Sequence, residues 1–140
     1  MKIAIIGSTG MVGREILRVI SERELKFDSL FLVASEKSVG KSVVFQDSEH
    51  TIIDINTCLN LQPDLIIFSA GSELSLNYAP KFAKIGATVI DNSSAWRMDN
   101  SKKLIIPEIN GHVLNPNDKI IANPNCSTIQ MLMAINPIHK

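Results

Sequence analysis

The chain has 140 residues, 45% of them hydrophobic, which is enough for one domain with a sizeable core. Its 14 Lys and Arg balance 14 Asp and Glu with no block of either sign, which argues against a nucleic-acid or anionic-membrane partner and toward a small molecule. No apolar run approaches the ~20 residues of a membrane span, no basic leader precedes the first strand, and Cys58 and Cys126 stand in unrelated contexts without metal-ligand spacing, so a cytoplasmic protein without disulfides or metal is expected.

Lys2-Ile3-Ala4-Ile5-Ile6 is a β-branched apolar run that stops at Gly7-Ser8-Thr9-Gly10-Met11-Val12-Gly13, and Val12, Ile16, Leu17 and Ile20 then share one helical face. Strand, tight turn and a helix over Gly10 to Arg23 are predicted. Glycine serves where the backbone takes positive φ or must approach a ligand closely, and a helix that starts there points free N–H groups into the turn. An anion, a pyrophosphate above all, fits such a turn. Ser8 and Thr9 separate the first two glycines by one residue more than the strict dinucleotide spacing, so a turn that only packs helix on strand is the other reading.

Leu30 to Ala34 predicts a second, parallel strand that ends in Ser35-Glu36-Lys37-Ser38. In a dinucleotide fold this end meets the adenosine ribose, where an acidic residue selects a free 2′-hydroxyl and a basic one accepts a 2′-phosphate. With Ser35, Lys37 and Ser38 as donors and Glu36 turned outward, NADP is expected; a solvated β–α loop is the alternative. Gly40 to Gln46 and His50 to Ile55 read as short strands around a polar turn at Asp47-Ser48-Glu49, with His50 on the surface and Cys58 buried in the next turn.

Pro63-Asp64 introduces a buried strand, Leu65 to Phe68, whose end, Ser69-Ala70-Gly71-Ser72, forms a second wall for a cofactor at the C-terminal edge of a parallel sheet. A helix starts at Ser72 or Glu73, carries Leu76, Ala79, Phe82 and Ala83 as its apolar stripe and stops at Gly86. Thr88 to Ile90 is the next strand. In the Asp91 to Arg97 loop that follows, Trp96 packs a core edge, and Arg97 is either a bidentate ligand for a carboxylate or phosphate or a solvated loop residue.

His112 falls on a loop or helix, and Lys119 to Ala122 is a further strand. Asn123-Pro124-Asn125-Cys126-Ser127-Thr128 then turns into a helix with Cys126 in its first turn, which Pro137 ends. Free N–H groups and the positive end of the helix dipole stabilise a thiolate there, so Cys126 is the candidate nucleophile. The elements together predict an α/β, Rossmann-like doubly wound, mostly parallel sheet with helices on both faces.

Six stretches, Gly7 to Gly13, Ala34 to Lys41, Phe68 to Gly71, Val89 to Met98, Ile106 to Asn110 and Asn123 to Gln130, occur in the order and with the residues seen in aspartate-semialdehyde dehydrogenases. Through them nearly the whole chain resembles the N-terminal part of that family. The resemblance implies NADPH-dependent reductive dephosphorylation of L-aspartyl-4-phosphate to L-aspartate 4-semialdehyde, on the way to lysine, threonine and methionine. It implies Thr9, Gly10, Met11 and Val12 at the cofactor pyrophosphate and Lys37 and Ser38 at its adenosine phosphate, to which the strand-end reading adds Gly7, Ser35, Ser69 and Gly71. Arg97 would hold the substrate phosphate, Cys126 would accept the acyl group, and acyl phosphate and inorganic phosphate would be the small-molecule partners.

Residues 1–125 would then form the NADP-binding domain, and 126–140 the nucleophile-bearing helix and the start of a truncated substrate and dimerisation domain. Family members run on into that domain, which carries a histidine acid/base, a substrate arginine and most of a homodimer interface, so an N-terminal fragment that does not turn over alone is expected. Two alternatives stand beside this reading. N-acetyl-glutamyl-phosphate reductases carry a glycine before and an aromatic after their cysteine, where Asn125 and Ser127 stand here, and a non-catalytic NADP-binding module would need neither Cys126 nor Arg97.

Overall fold

In a computed structural model that describes residues 1–139, strands and helices alternate through most of the chain. The first half contains β1 (Lys2–Ile6), α1 (Met11–Glu22), β2 (Ser29–Val33), β3 (Ser42–Phe45), β4 (Ser48–Ile53) and α2 (Ile55–Asn60). The second half contains β5 (Leu65–Phe68), α3 (Ser72–Lys84), β6 (Thr88–Asp91), β7 (Lys103–Leu104), α4 (Pro107–Asn110), a 3-10 turn (Gly111–Val113), β8 (Ile120–Ala122) and α5 (Cys126–His139). Among the described residues no helix is long and apolar enough to cross a membrane.

The strands form one sheet in the order β3-β4-β2-β1-β5-β6-β8-β7, parallel throughout except for the β3–β4 hairpin at one edge. From β1 the chain builds outward through β2 and β4. It then crosses back to β5 and builds the other way, so the strand order reverses between β1 and β5. Both faces of β1 are buried: Ile3 and Ile5 pack with Leu17 and Ile20 of α1, whereas Ala4 and Ile6 share a core with Phe68, Ala79 and Phe82 on the α3 side. A strand covered on both faces must be apolar throughout, which is why β1 does not alternate with polar residues. The doubly wound architecture predicted from the sequence is the one observed.

Several boundaries differ from those expected, each for a local reason. The hairpin turn is Gln46-Asp47, both with positive φ, so Ser48 and Glu49 belong to β4 and not to the turn. Ile55 does not extend β4, because the Asp54 side chain accepts hydrogen bonds from Asn56 N (2.8 Å) and Thr57 N (3.0 Å) and caps α2, which carries Cys58. The apolar stripes of α1 and α3 are rotated from those expected. Gly13, Leu17 and Ile20 are buried while Val12 is 41% exposed, and Ser75, Ala79 and Phe82 are buried while Leu76 is 51% exposed. Pro137 does not end α5; it lacks an N–H and so forgoes one bond within the last turn, and the helix runs on to His139. β7 and α4 were not foreseen, being too short for a periodic pattern.

Gly13 explains the rotation of α1. A Cβ at this position would lie 2.3 Å from the carbonyl oxygen of Gly7 and 2.7 Å from Ser8 Cα, so α1 rests on the turn through bare backbone. Glycine to alanine inside a helix ordinarily gains as much as about 1 kcal/mol. Gly13→Ala should instead destabilise by about 1–3 kcal/mol through overpacking. Urea unfolding is expected to show a lower midpoint at unchanged slope, and a midpoint at or above that of the parent would contradict the contact.

Candidate functional site

The reversal between β1 and β5 opens a cleft of about 780 Å³ at the C-terminal edge of the sheet. Open parallel sheets bind ligands at this place, because the loops that follow the two central strands diverge to opposite faces. Gly7 forms the floor with φ at +89°, and a Cβ there would sit 2.2 Å from the Ser69 carbonyl oxygen, so the β1 and β5 loops touch backbone to backbone. The N–H groups of Gly7 and Ser8 donate to Val33 O at 2.9 and 3.0 Å, and Ser8 Oγ to the same oxygen at 3.1 Å, fastening the turn to β2.

α1 then begins without a side-chain cap on Gly10. Its first bond runs from Arg14 N to Gly10 O at 3.0 Å, so the N–H groups of Met11, Val12 and Gly13 precede the hydrogen-bonded ladder. The turn therefore suits a dianionic pyrophosphate: a floor without side chains, and uncapped donors at the positive end of a 12-residue helix.

Of the residues expected at a cofactor, Gly7, Thr9, Gly10, Ser35, Lys37 and Ser69 line this cleft. Met11, Val12, Ser38 and Gly71 do not; Met11 is 85% exposed at the first position of α1, and Ser38 is half-buried in the turn its N–H closes onto Ser35 O at 2.8 Å. Glu36, expected to turn outward, lines the cleft beside Ser35 and Lys37. Five further wall residues were not singled out from the sequence: Asp54, Ile55 and Asn56 around the start of α2, and Leu74 and Tyr78 on α3. Helical spacing from the Ser69 loop was the available signal for Leu74 and Tyr78. For the α2 start it was the Asp54-x-x-Thr57 capping pattern.

A second polar centre lies beyond β6. Asp91 is buried and its carboxylate accepts from Ser93 N (3.1 Å) and Ser93 Oγ (2.7 Å), while Trp96 Nε1 donates to the buried Ser75 Oγ at 2.9 Å. These bonds tie the loop to the sheet edge and to α3. Arg97 is half-buried, its Nε donating to Asn123 O (3.0 Å) and its Nη2 to Asn92 O (3.1 Å), and Asn123 Nδ2 donates to Asn92 Oδ1 at 2.8 Å. The guanidinium thus joins the loops after β6 and β8, and among the described residues Nη1 has no hydrogen-bond partner.

Cys126 is the first residue of α5 and is exposed. Asn125 caps the helix, accepting from Ser127 N on its side chain at 3.0 Å and from Ile129 N on its carbonyl at 2.9 Å. Cys58 is the opposite case. It is 0% exposed, and burial, with the nearby Asp54 carboxylate adding to it, pushes its thiol up to about 12.

The fold and the glycine-floored cleft define a dinucleotide-binding Rossmann domain. Residues 2–116 match the model of the semialdehyde dehydrogenase, NAD binding domain, and the chain belongs to that family. It is 49% identical to an aspartate-semialdehyde dehydrogenase of Aquifex aeolicus, over 99% of this chain and 42% of that protein, and 41% identical to one of Bacillus subtilis, over 100% and 40% respectively. The solved aspartate-semialdehyde dehydrogenase II of Vibrio cholerae, complexed with ASA, superposes with a TM-score of 0.93 at 45% identity, covering 99% of this chain and 46% of that one. The chain spans about two fifths of the length of the curated relatives it matches.

Because alkylation requires the thiolate, iodoacetamide at pH 7 should modify Cys126 and leave Cys58 intact until the chain is unfolded. Peptide mapping reads the two sites separately. Comparable labelling of both in the folded protein would contradict the burial of Cys58.

Proposed function

We propose that the chain is the cofactor-binding part of an enzyme that converts L-aspartyl-4-phosphate, NADPH and a proton to L-aspartate 4-semialdehyde, NADP+ and inorganic phosphate, with Cys126 as nucleophile. The observation that carries this reading is the placement of an exposed cysteine at the start of a helix on the same C-terminal sheet edge as a glycine-floored cleft. In the proposed step the Cys126 thiolate attacks the acyl carbon, the C–O bond to phosphate breaks, and a Cys126 thioester and free phosphate result. Arg97, anchored at Nε and Nη2, offers its Nη1 donors to the leaving phosphate.

The nicotinamide cofactor, when bound, would supply the hydride that takes the acyl group to the aldehyde level, and breaking of the C–S bond then frees the aldehyde and returns Cys126 as a thiolate. Gly7, Thr9 and Gly10 would hold its pyrophosphate, Ser35 and Lys37 its adenosine end, and Ser69 and Ala70 the opposite side. In a chain of the relatives' length we propose a homodimer in the cytoplasm. α5 supports a further partner surface, since it buries no residue and leaves Met131, Ile135 and Ile138 exposed.

Incubation of the chain with L-aspartyl-4-phosphate should release phosphate and add one aspartyl group to Cys126 by intact-mass measurement, and Cys126→Ala should do neither. Phosphate release that survives the substitution would remove Cys126 from the proposed role. A second measurement addresses the cofactor. NADP should bind more tightly than NAD by a few-fold to ~100-fold, as one charge-assisted contact gives, and Lys37→Ala should erase the difference. Equal affinities in the parent chain would return Lys37 to the solvent.

A further inference from the structure

The loop after β6 is held from two sides, and the two holds fall on neighbouring residues. On the α3 side, Ser72 and Ser75 stand three residues apart, which places them on one face of the helix. They meet Ser94 and Trp96: the hydroxyls of Ser72 and Ser94 lie 2.9 Å apart, and Trp96 Nε1 donates to Ser75 Oγ at 2.9 Å. Residues 94 to 96 therefore run along α3. On the β8 side, Arg97 reaches Asn123 O through Nε and Asn92 O through Nη2. One side chain ties the loop back to α3, and the next ties it forward to the β8 loop.

The bond between Trp96 and Ser75 has one possible direction. An indole N–H only donates, so Ser75 Oγ is its acceptor. Ser75 is buried and the Trp96 ring packs against the core beneath α3, so the bond fixes the orientation of the ring as well as its depth. Upstream, Ser93 is held by the Asp91 carboxylate, and its hydroxyl accepts from Ala95 N at 3.1 Å. The backbone that delivers Arg97 is thus fastened up to the residue before it. A guanidinium is planar, so holding Nε and Nη2 sets the direction of Nη1, provided the Arg97 backbone stays in register with the Asn92 and Asn123 carbonyls. We propose that Ser75, acting through Trp96, is a positioning residue that keeps this register and so presents Arg97 Nη1 in one direction to the phosphate of an acyl phosphate. This inference rests on the role given to Arg97 in the reading proposed above.

The test compares two reactions of Cys126 in the same chain: acylation by L-aspartyl-4-phosphate, followed by intact mass, and alkylation by iodoacetamide, which carries no phosphate. Ser75→Ala and Trp96→Phe each remove the bond while keeping a good helix former or a packed ring, so both variants should fold. Each should slow acylation about 3- to 10-fold, the range one hydrogen bond gives, and leave the alkylation rate unchanged. The double variant should be no slower than either single one, since both lose the same bond. In an Arg97→Ala background, Ser75→Ala should have no further effect on acylation, because its influence passes through the guanidinium. Acylation at the parent rate in both single variants, an equal loss in acylation and alkylation, or an effect of Ser75→Ala that persists without Arg97 overturns the assignment and leaves the acylation reading intact. A parent chain that is not acylated at Cys126 overturns that reading and this inference with it.

Discussion

The domain depends on one steric constraint: three backbone segments converge at Gly7 with no space for a side chain between them. The Ser69 carbonyl lies where a Gly7 Cβ would be, and the Gly7 carbonyl lies where a Gly13 Cβ would be. Because β1, β5 and α1 meet through bare backbone, the helix starts beside the reversal of strand order, and Gly10, just before its uncapped first turn, lines the cleft. A methyl group at either glycine would lift α1 or part the two central loops. The close approach that seats the helix also leaves the floor under it without side chains.

Across the sheet edge, the loops after β6 and β8 are joined to each other by polar bonds, while Trp96 packs the first of them against the core. Asn123 N donates to Asp91 O at 2.8 Å, Asn92 N to Phe68 O at 2.9 Å, and Arg97 and the Asn92–Asn123 amide pair close the remaining gap. A half-buried guanidinium needs several acceptors, and two carbonyls from two loops meet part of that need. Through Asn123, Pro124 and Asn125 the same network leads to Cys126, so the position of the exposed thiol is set by contacts three and more residues upstream of it. Arg97 therefore has a structural duty besides any anion it holds.

The two cysteines show how one residue type acquires opposite exposure from its surroundings. Cys58 sits on the inner side of a short helix against the core beneath α2 and α3, where charge is unfavourable and the thiol stays protonated. Cys126 is the first residue of α5 and stands exposed to solvent. Both environments follow from what precedes the cysteine by a few residues: Asp54 turns the chain into α2, and Pro124-Asn125 turns it into α5.

Read alone, the sequence determined the strand-turn-helix at the N-terminus, the buried strands at Leu30, Leu65 and Thr88, the doubly wound class and the helix start at Cys126. Each of these is written in neighbouring residues, through β-branched runs, glycine spacing and a Pro-Asn turn. It also placed Thr9, Ser35, Lys37 and Ser69 on loops that do line the cleft. What it did not determine depends on contacts distant in the chain. The rotation of α1 and α3 was decided by which surfaces the sheet offers, so glycine and serine took buried positions that an apolar count gives to Val12 and Leu76. The two donors of Arg97 were directed by carbonyls five and 26 residues away. Asn56 and Tyr78, 22 residues apart, became neighbours only when α2 and α3 came to lie on one face of the sheet, because a side chain's partner across a cleft is fixed by topology and leaves no trace in local sequence.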